Sequence, residues 1–165
     1  MSGAYPITIE ELAPRLPAGR PLIGLDVGTK TIGIAVSDRG RQIASPRETI
    51  RRAKFAADAA RLLAIAGDDQ AAAVIVGLPV SMDGSEGPRA QSTRAFARNL
   101  ARLTDLPIAF WDERLSSAVV ERMLIEADRS RARRAEIVDK LAAAYILQGA
   151  LDRLARIADQ STFGT

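Results

Sequence analysis

Leu22-Ile23-Gly24-Leu25-Asp26-Val27-Gly28-Thr29-Lys30-Thr31-Ile32-Gly33-Ile34-Ala35-Val36-Ser37 is the stretch from which the fold can be read. Leu22 to Val27 is a short apolar run ended by Gly28, and Thr31 to Ser37 is a second run rich in β-branched residues. The spacing predicts two strands joined by a tight turn at Gly28-Thr29-Lys30. Strand alternation puts Leu25 and Val27 on one face and Gly24 and Asp26 on the other. A carboxylate inside such a strand is costly unless it is paired or bound to metal. Two readings of Asp26 follow: it caps the turn through the amides of Gly28 and Thr29, or it belongs to a site.

Outward from this pair, Arg41 to Ile50 is a third extended stretch, and its Pro46 restricts it to a sheet edge or a bulge. The period then changes. Lys54 to Ala66 is alanine-rich and predicts a helix ended by Gly67, and Ala73 to Leu78 is a buried-type strand. Residues 79 to 88 have loop composition, Phe96, Leu100 and Leu103 fall at helical spacing, and Ile108 to Trp111 is a further strand. Leu115, Val119, Val120, Met123 and Leu124 mark one face of a helix, Arg129 to Arg134 a basic connector, and a last helix runs from about Ala135 to Ala158. Three antiparallel strands followed by strand-helix units predict a five-stranded mixed α/β sheet with helices on both faces. The expected organisation is a polar leader over residues 1–21, one compact domain over 22–158, and a short tail over 159–165.

Composition narrows the chemistry. The 165 residues carry 23 Lys and Arg against 20 Asp and Glu, a formal charge of +3 and a weak lean towards anionic partners. Cys and His are both absent, which removes thiolate nucleophiles, zinc-finger sites, disulfides and the commonest general base. Carboxylates are hard ligands that suit Mg²⁺ or Mn²⁺, so a metal enzyme made from these residues is expected to use one of those ions. The leader lacks the apolar core of a signal peptide and no stretch is long enough to span a membrane, so the expected location is the cytoplasm.

Two further acids mark element ends. Glu113 follows the strand Ile108 to Trp111, where it either pairs with Arg114 and caps the next segment through Ser116 and Ser117, or projects into a crevice. Asp139 lies early in the last helix, with Ala142, Ala143 and Ile146 at i+3, i+4 and i+7. That small apolar stripe permits close approach to another element, although an acid in a first turn also suits the helix dipole. If Asp26, Glu113 and Asp139 converge, their repulsion calls for divalent cations.

These residues resemble a known family. Gly24 to Lys30 with Ile32-Gly33-Ile34-Ala35, Val76-Gly77-Leu78-Pro79 with Met82-Asp83-Gly84, Asp112-Glu113-Arg114-Leu115-Ser116, and Asp139-Lys140-Leu141-Ala142-Ala143 with Ile146-Leu147-Gln148 are similar to the YqgF/RuvX family. The likeness runs in order from about residue 22 to residue 151. It implies an RNase H-like fold related to Holliday junction resolvases, with members regarded as pre-16S rRNA nucleases. It also implies that the family's metal-binding catalytic acids fall on Asp26, Glu113 and Asp139. The wider resolvase group carries two acids in the last helix, whereas here Glu136 lacks the expected spacing, and many relatives have a basic residue where this chain has Thr31.

Lys30, Arg114 and the basic residues Arg129, Arg131, Arg133 and Arg134 are the candidate phosphate contacts, and the last four precede Asp139 in sequence. Arg47, Arg51, Arg52 and Lys54 form another basic cluster, of the kind that is usually solvated surface. Phe110 and Trp111 read as core rather than base-stacking platforms.

The leading expectation is a phosphodiesterase using two metal ions, which needs no protein base, with precursor rRNA favoured over branched DNA. Its alternatives are a Holliday junction resolvase acting in DNA recombination and repair, and a nucleic-acid-binding assembly factor without turnover. Leu25 to Thr29 also resembles the first phosphate loop of the actin and hexokinase type. In those proteins the nucleotide sits between two such domains, and this chain has length for one. Monomer and homodimer both stay open.

Overall fold

The computed structural model describes the backbone of residues 5–115 and 131–163, and side chains of 5–115 and 141–161. Strands β1 (Leu22–Val27), β2 (Thr31–Ser37) and β3 (Ala44–Arg51) form an antiparallel meander, and β4 (Ala73–Leu78) and β5 (Ile108–Asp112) extend it in parallel. The five-stranded sheet has the order β3-β2-β1-β4-β5. Its central strands β1 and β4 are apolar because both their faces are covered.

Helices α2 (Phe55–Asp68) and α3 (Pro88–Ala101) cover one face, where Leu62, Ile65, Phe96 and Leu100 meet Ile23, Leu25, Val27, Val74 and Val76. The long helix α4 (Arg131–Phe163) covers the other, packing Ala143, Ile146, Leu147 and Leu151 against Leu22, Ile75, Ala109 and Trp111. Trp111 is thus a core residue, as expected.

Several boundaries differ from expectation, each for a local reason. β3 starts at Ala44 because Arg41 turns at φ 56° and the Asp38 carboxylate accepts the amides of Gln42 and Ile43. Pro46 does sit in an edge strand, at a bulge where Ala35 pairs with Pro46 and Ile34 with Glu48. Gly67 does not end α2, which runs one residue further to Asp68. The helix expected over Leu115 to Leu124 lies outside the described residues beyond Leu115, which closes a 3₁₀ turn, Glu113–Leu115.

The segment read as a leader docks onto the sheet. The backbone of Ile7 pairs with β5, its amide donating to the Ile108 carbonyl at 2.8 Å and its carbonyl accepting from Phe110 at 3.0 Å. A capping box between Thr8 and Glu11 then starts a short helix, α1 (Ile9–Leu12), whose Ile9 and Leu12 are buried on the α4 side. At the other end, α4 begins at Arg131 and continues to Phe163, so part of the expected basic connector and of the expected tail is helical.

Candidate active site

The acid site lies on the α4 face, at the ends of β1 and β5. Asp26 shares that face with Leu22 and Gly24, as alternation requires. The Leu25–Val76 and Gly77–Trp111 pairs continue the parallel register, so Gly77 of β4 comes level with Asp26 and lies between β1 and β5. Two residues after Trp111, the Glu113 side chain folds back over this gap. A Cβ on Gly77 would lie 2.8 Å from Glu113 Oε1 and would overlap the Ile146 side chain. Gly77 therefore makes the space into which the carboxylate fits, a role that a glycine inside an apolar strand can signal.

The electrostatics agree with this geometry. The Glu113 carboxyl is pushed up to about 7, chiefly by burial and next by the negative charge of Asp26, while Arg89 pulls it back and Asp112 adds a smaller upward push. Arg89 is an exposed residue in the first turn of α3, directly after Pro88. A cation there opposes the helix dipole, and the nearby acid offsets that cost. Sequence reading passed over Arg89; its unfavourable position at a Pro-marked helix start is the signal that could have found it.

Arg114 does not pair with Glu113. Its guanidinium takes Asp112, with Nη2 to Oδ2 at 2.6 Å and Nε to Oδ2 at 3.0 Å, and this pairing holds the Asp112 carboxyl below its ordinary value. Asp112 thus occupies the arginine and leaves Glu113 to turn inward. The turn after Asp26 is closed by the Gly28 amide donating to the Thr31 carbonyl at 2.9 Å, and Lys30 is exposed at its tip.

Helix α4 is held at a fixed height on the sheet. Gln148 accepts the Ala44 amide at 2.9 Å and donates to the Gln42 carbonyl at 2.9 Å. At Gly24 the helix backbone comes so close that a Cβ would lie 2.7 Å from Leu147 Cβ and 3.1 Å from the Ala143 carbonyl. From Gln148 to Ala143 the helix runs towards the Asp26 end of β1. By register Asp139 is one turn further on, along the Ala143 stripe. Its side chain lies outside the described residues, as do those of Arg131, Arg133 and Arg134 in the first turns of α4, and Arg129 altogether. Among the described residues no group of three or more acids stands ready for a metal ion.

The chain matches the RuvX Holliday junction resolvase family over residues 20–153. It belongs to that family. Relatives of this RuvX-family protein include a "Putative pre-16S rRNA nuclease" of Nitrobacter winogradskyi, 66% identical over 90% of this chain and 91% of the relative. Another, of the same name, from Rhizobium meliloti is 62% identical over 92% of each chain. Among solved structures, Thermus thermophilus RuvC bound to a Holliday junction superposes with TM-score 0.55 at 15% identity, covering 84% of this chain and 96% of RuvC. The yeast mitochondrial Holliday junction resolvase Ydc2 gives 0.52 at 9% identity over 94% and 88%. At such identities the likeness concerns the fold alone, and the fold is the RNase H-like α/β architecture that the family resemblance implies.

Proposed function

We propose that this protein is a metal-dependent nuclease that hydrolyses phosphodiester bonds in structured nucleic acid, acting in the cytoplasm on the 5′ end of precursor 16S rRNA during ribosome biogenesis. One observation carries the reading: Asp26 and Glu113 face one gap over Gly77, so closely that the charge of one disfavours ionisation of the other. Arg114, the cation next to Glu113 in sequence, pairs with Asp112. The hard oxygen donors of Asp26 and Glu113 suit Mg²⁺ or Mn²⁺, and the register of α4 favours Asp139 as the third ligand.

Asp26, Glu113 and Asp139 would hold the ions, which when bound supply an activated water and positive charge at the phosphoryl oxygens. The remaining work falls to side chains around them. Lys30 at the turn tip would hold a phosphate beside the cut, with Arg129, Arg131, Arg133 and Arg134 extending that contact. Cations in the first turns of α4 are disfavoured by its dipole, which makes a phosphate partner the better account of Arg131, Arg133 and Arg134. Glu113 carries its own constraint: near neutrality it must give up a proton before it can act as a ligand.

The family description favours a second reading, resolution of four-way DNA junctions. Cleavage of a precursor 16S rRNA fragment and of a four-way DNA junction, each in Mg²⁺, Mn²⁺ and EDTA, separates them. The proposal expects metal-dependent cleavage of the RNA in preference to the junction. Full activity in EDTA, or junction cleavage alone, would overturn it.

A further inference from the structure

Arg52 stands just past the end of β3, within the basic run Arg51-Arg52-Ala53-Lys54. Unlike Arg51 and Lys54, which are exposed, it is half-buried. Its backbone amide donates to the Lys30 carbonyl at 2.8 Å, and its Nη1 donates to the Gly28 carbonyl at 2.8 Å. Among the described residues its side-chain hydrogen-bond partner is thus a peptide carbonyl, not a carboxylate. The guanidinium also lies 5.6 Å from the centre of the Phe96 ring, which in turn meets Phe55 edge-on at 5.4 Å. The next amide, of Ala53, donates to the buried Asp58 carboxylate of α2 at 3.1 Å. The Arg52 side chain therefore rests on α3, beside a backbone tied to α2 through Ala53, while it grips the turn that leaves Asp26.

That turn needs gripping. The paired backbones Asp26–Gly33 and Val27–Ile32 fix the strands, but beyond them stands Gly28, a residue with no side chain to pack. We infer that Arg52 is a positioning residue of the carboxylate site: it clamps the β1–β2 turn from the opposite side of the sheet and so sets where Asp26 and Lys30 stand. The inference rests on the proposed reading of Asp26 as a metal ligand. Displacements of about 1 Å in such sites are costly, and loss of an outer partner of a ligand lowers metal affinity or activity roughly 10–100-fold.

The test uses the full chain and Mn²⁺ alone as its first probe. Arg52→Met keeps an apolar stem over Phe96 and removes the donor to Gly28, while Arg52→Lys keeps a donor without the planar stack. Calorimetric Mn²⁺ titration, amide hydrogen exchange over residues 26–31, and kcat and KM on the RNA fragment are measured for both variants. For Arg52→Met we expect Mn²⁺ affinity and kcat each to fall on the order of tenfold, with KM moving less and turn amides exchanging faster. Arg52→Lys should fall between that variant and wild type, and it carries the test if Arg52→Met does not fold. A variant that melts lower yet binds Mn²⁺ and turns over like wild type would make Arg52 merely structural. If wild type binds no Mn²⁺, or Asp26→Asn binds it equally well, the reading of Asp26 fails and this inference falls with it.

Discussion

The two faces of the sheet are built to opposite specifications. Under α2 and α3, β1 presents Ile23, Leu25 and Val27, which fill the space between sheet and helices. Under α4 the same strand presents Leu22, Gly24 and Asp26, and β4 contributes Gly77. One face gains stability from volume. The other gives up volume so that a helix backbone can close on the strand and carboxylates can share a gap, and the proposed site lies where packing was surrendered.

Adjacent residues test that division most strongly. Asp26→Asn should lower cleavage by more than about a hundredfold, beyond what loss of an outer partner costs, while its melting temperature in EDTA holds or rises because repulsion with Glu113 is relieved. Leu25→Ala should do the reverse, costing about 2–5 kcal/mol of stability with little change in kcat per folded molecule. Thermal melts beside cleavage assays decide it, and an Asp26→Asn protein that is destabilised but still cuts would sink the assignment.

Gly24→Ala comes next. The added Cβ would press on Leu147 and on the Ala143 carbonyl, so α4 must lift, at about 1–3 kcal/mol. Because the proposed ligand Asp139 rides on that helix, Mn²⁺ affinity should fall together with stability, which denaturant unfolding and Mn²⁺ titration can check. Loss of stability with unchanged metal binding would detach Asp139 from the site.

A smaller effect is set by pH. The Glu113 carboxyl titrates near 7 in the fold and near 4.5 when unfolded, so between those values only the native state keeps the proton. Metal-free stability should therefore decline as pH rises from about 4.5 to about 7, by about 2 kcal/mol once partial solvent screening is discounted, and level off above. Glu113→Gln should flatten the curve. An equal slope in that variant would assign the titration elsewhere. The smallest effect concerns affinity: replacing Arg131, Arg133 and Arg134 by Ala should reduce the salt slope of nucleic-acid binding by about one unit per lost phosphate contact, read from binding isotherms at several salt concentrations.

Much of the frame was legible because its signals are local. β1, β2 and β4 begin and end where their apolar runs do, at Gly28, Ser37 and Leu78. Asp26 and Glu113 stood out because an acid in or beside an apolar strand needs a reason. The rest depended on partners distant in sequence. Nothing local says that Gly24 and Gly77 admit a helix and a carboxylate, that Arg114 belongs to Asp112, or that Arg52 leaves the solvated surface to hold Gly28. The docking of Ile9 and Leu12 was illegible for the same reason: they are few, and α4 and β5, distant in sequence, give them a surface to cover.

The docking of Ile7 also has a bearing on solubility. A sheet with open sides invites other chains to pair with it, and here the two margins are protected differently. On β3 the Pro46 bulge breaks the row of amides; on β5 the backbone of Ile7 occupies the Ile108 carbonyl and the Phe110 amide. A chain shortened past Ile7 would keep its carboxylates and lose its cover over β5, so the damage would show as self-association in concentrated solution before it showed in the chemistry.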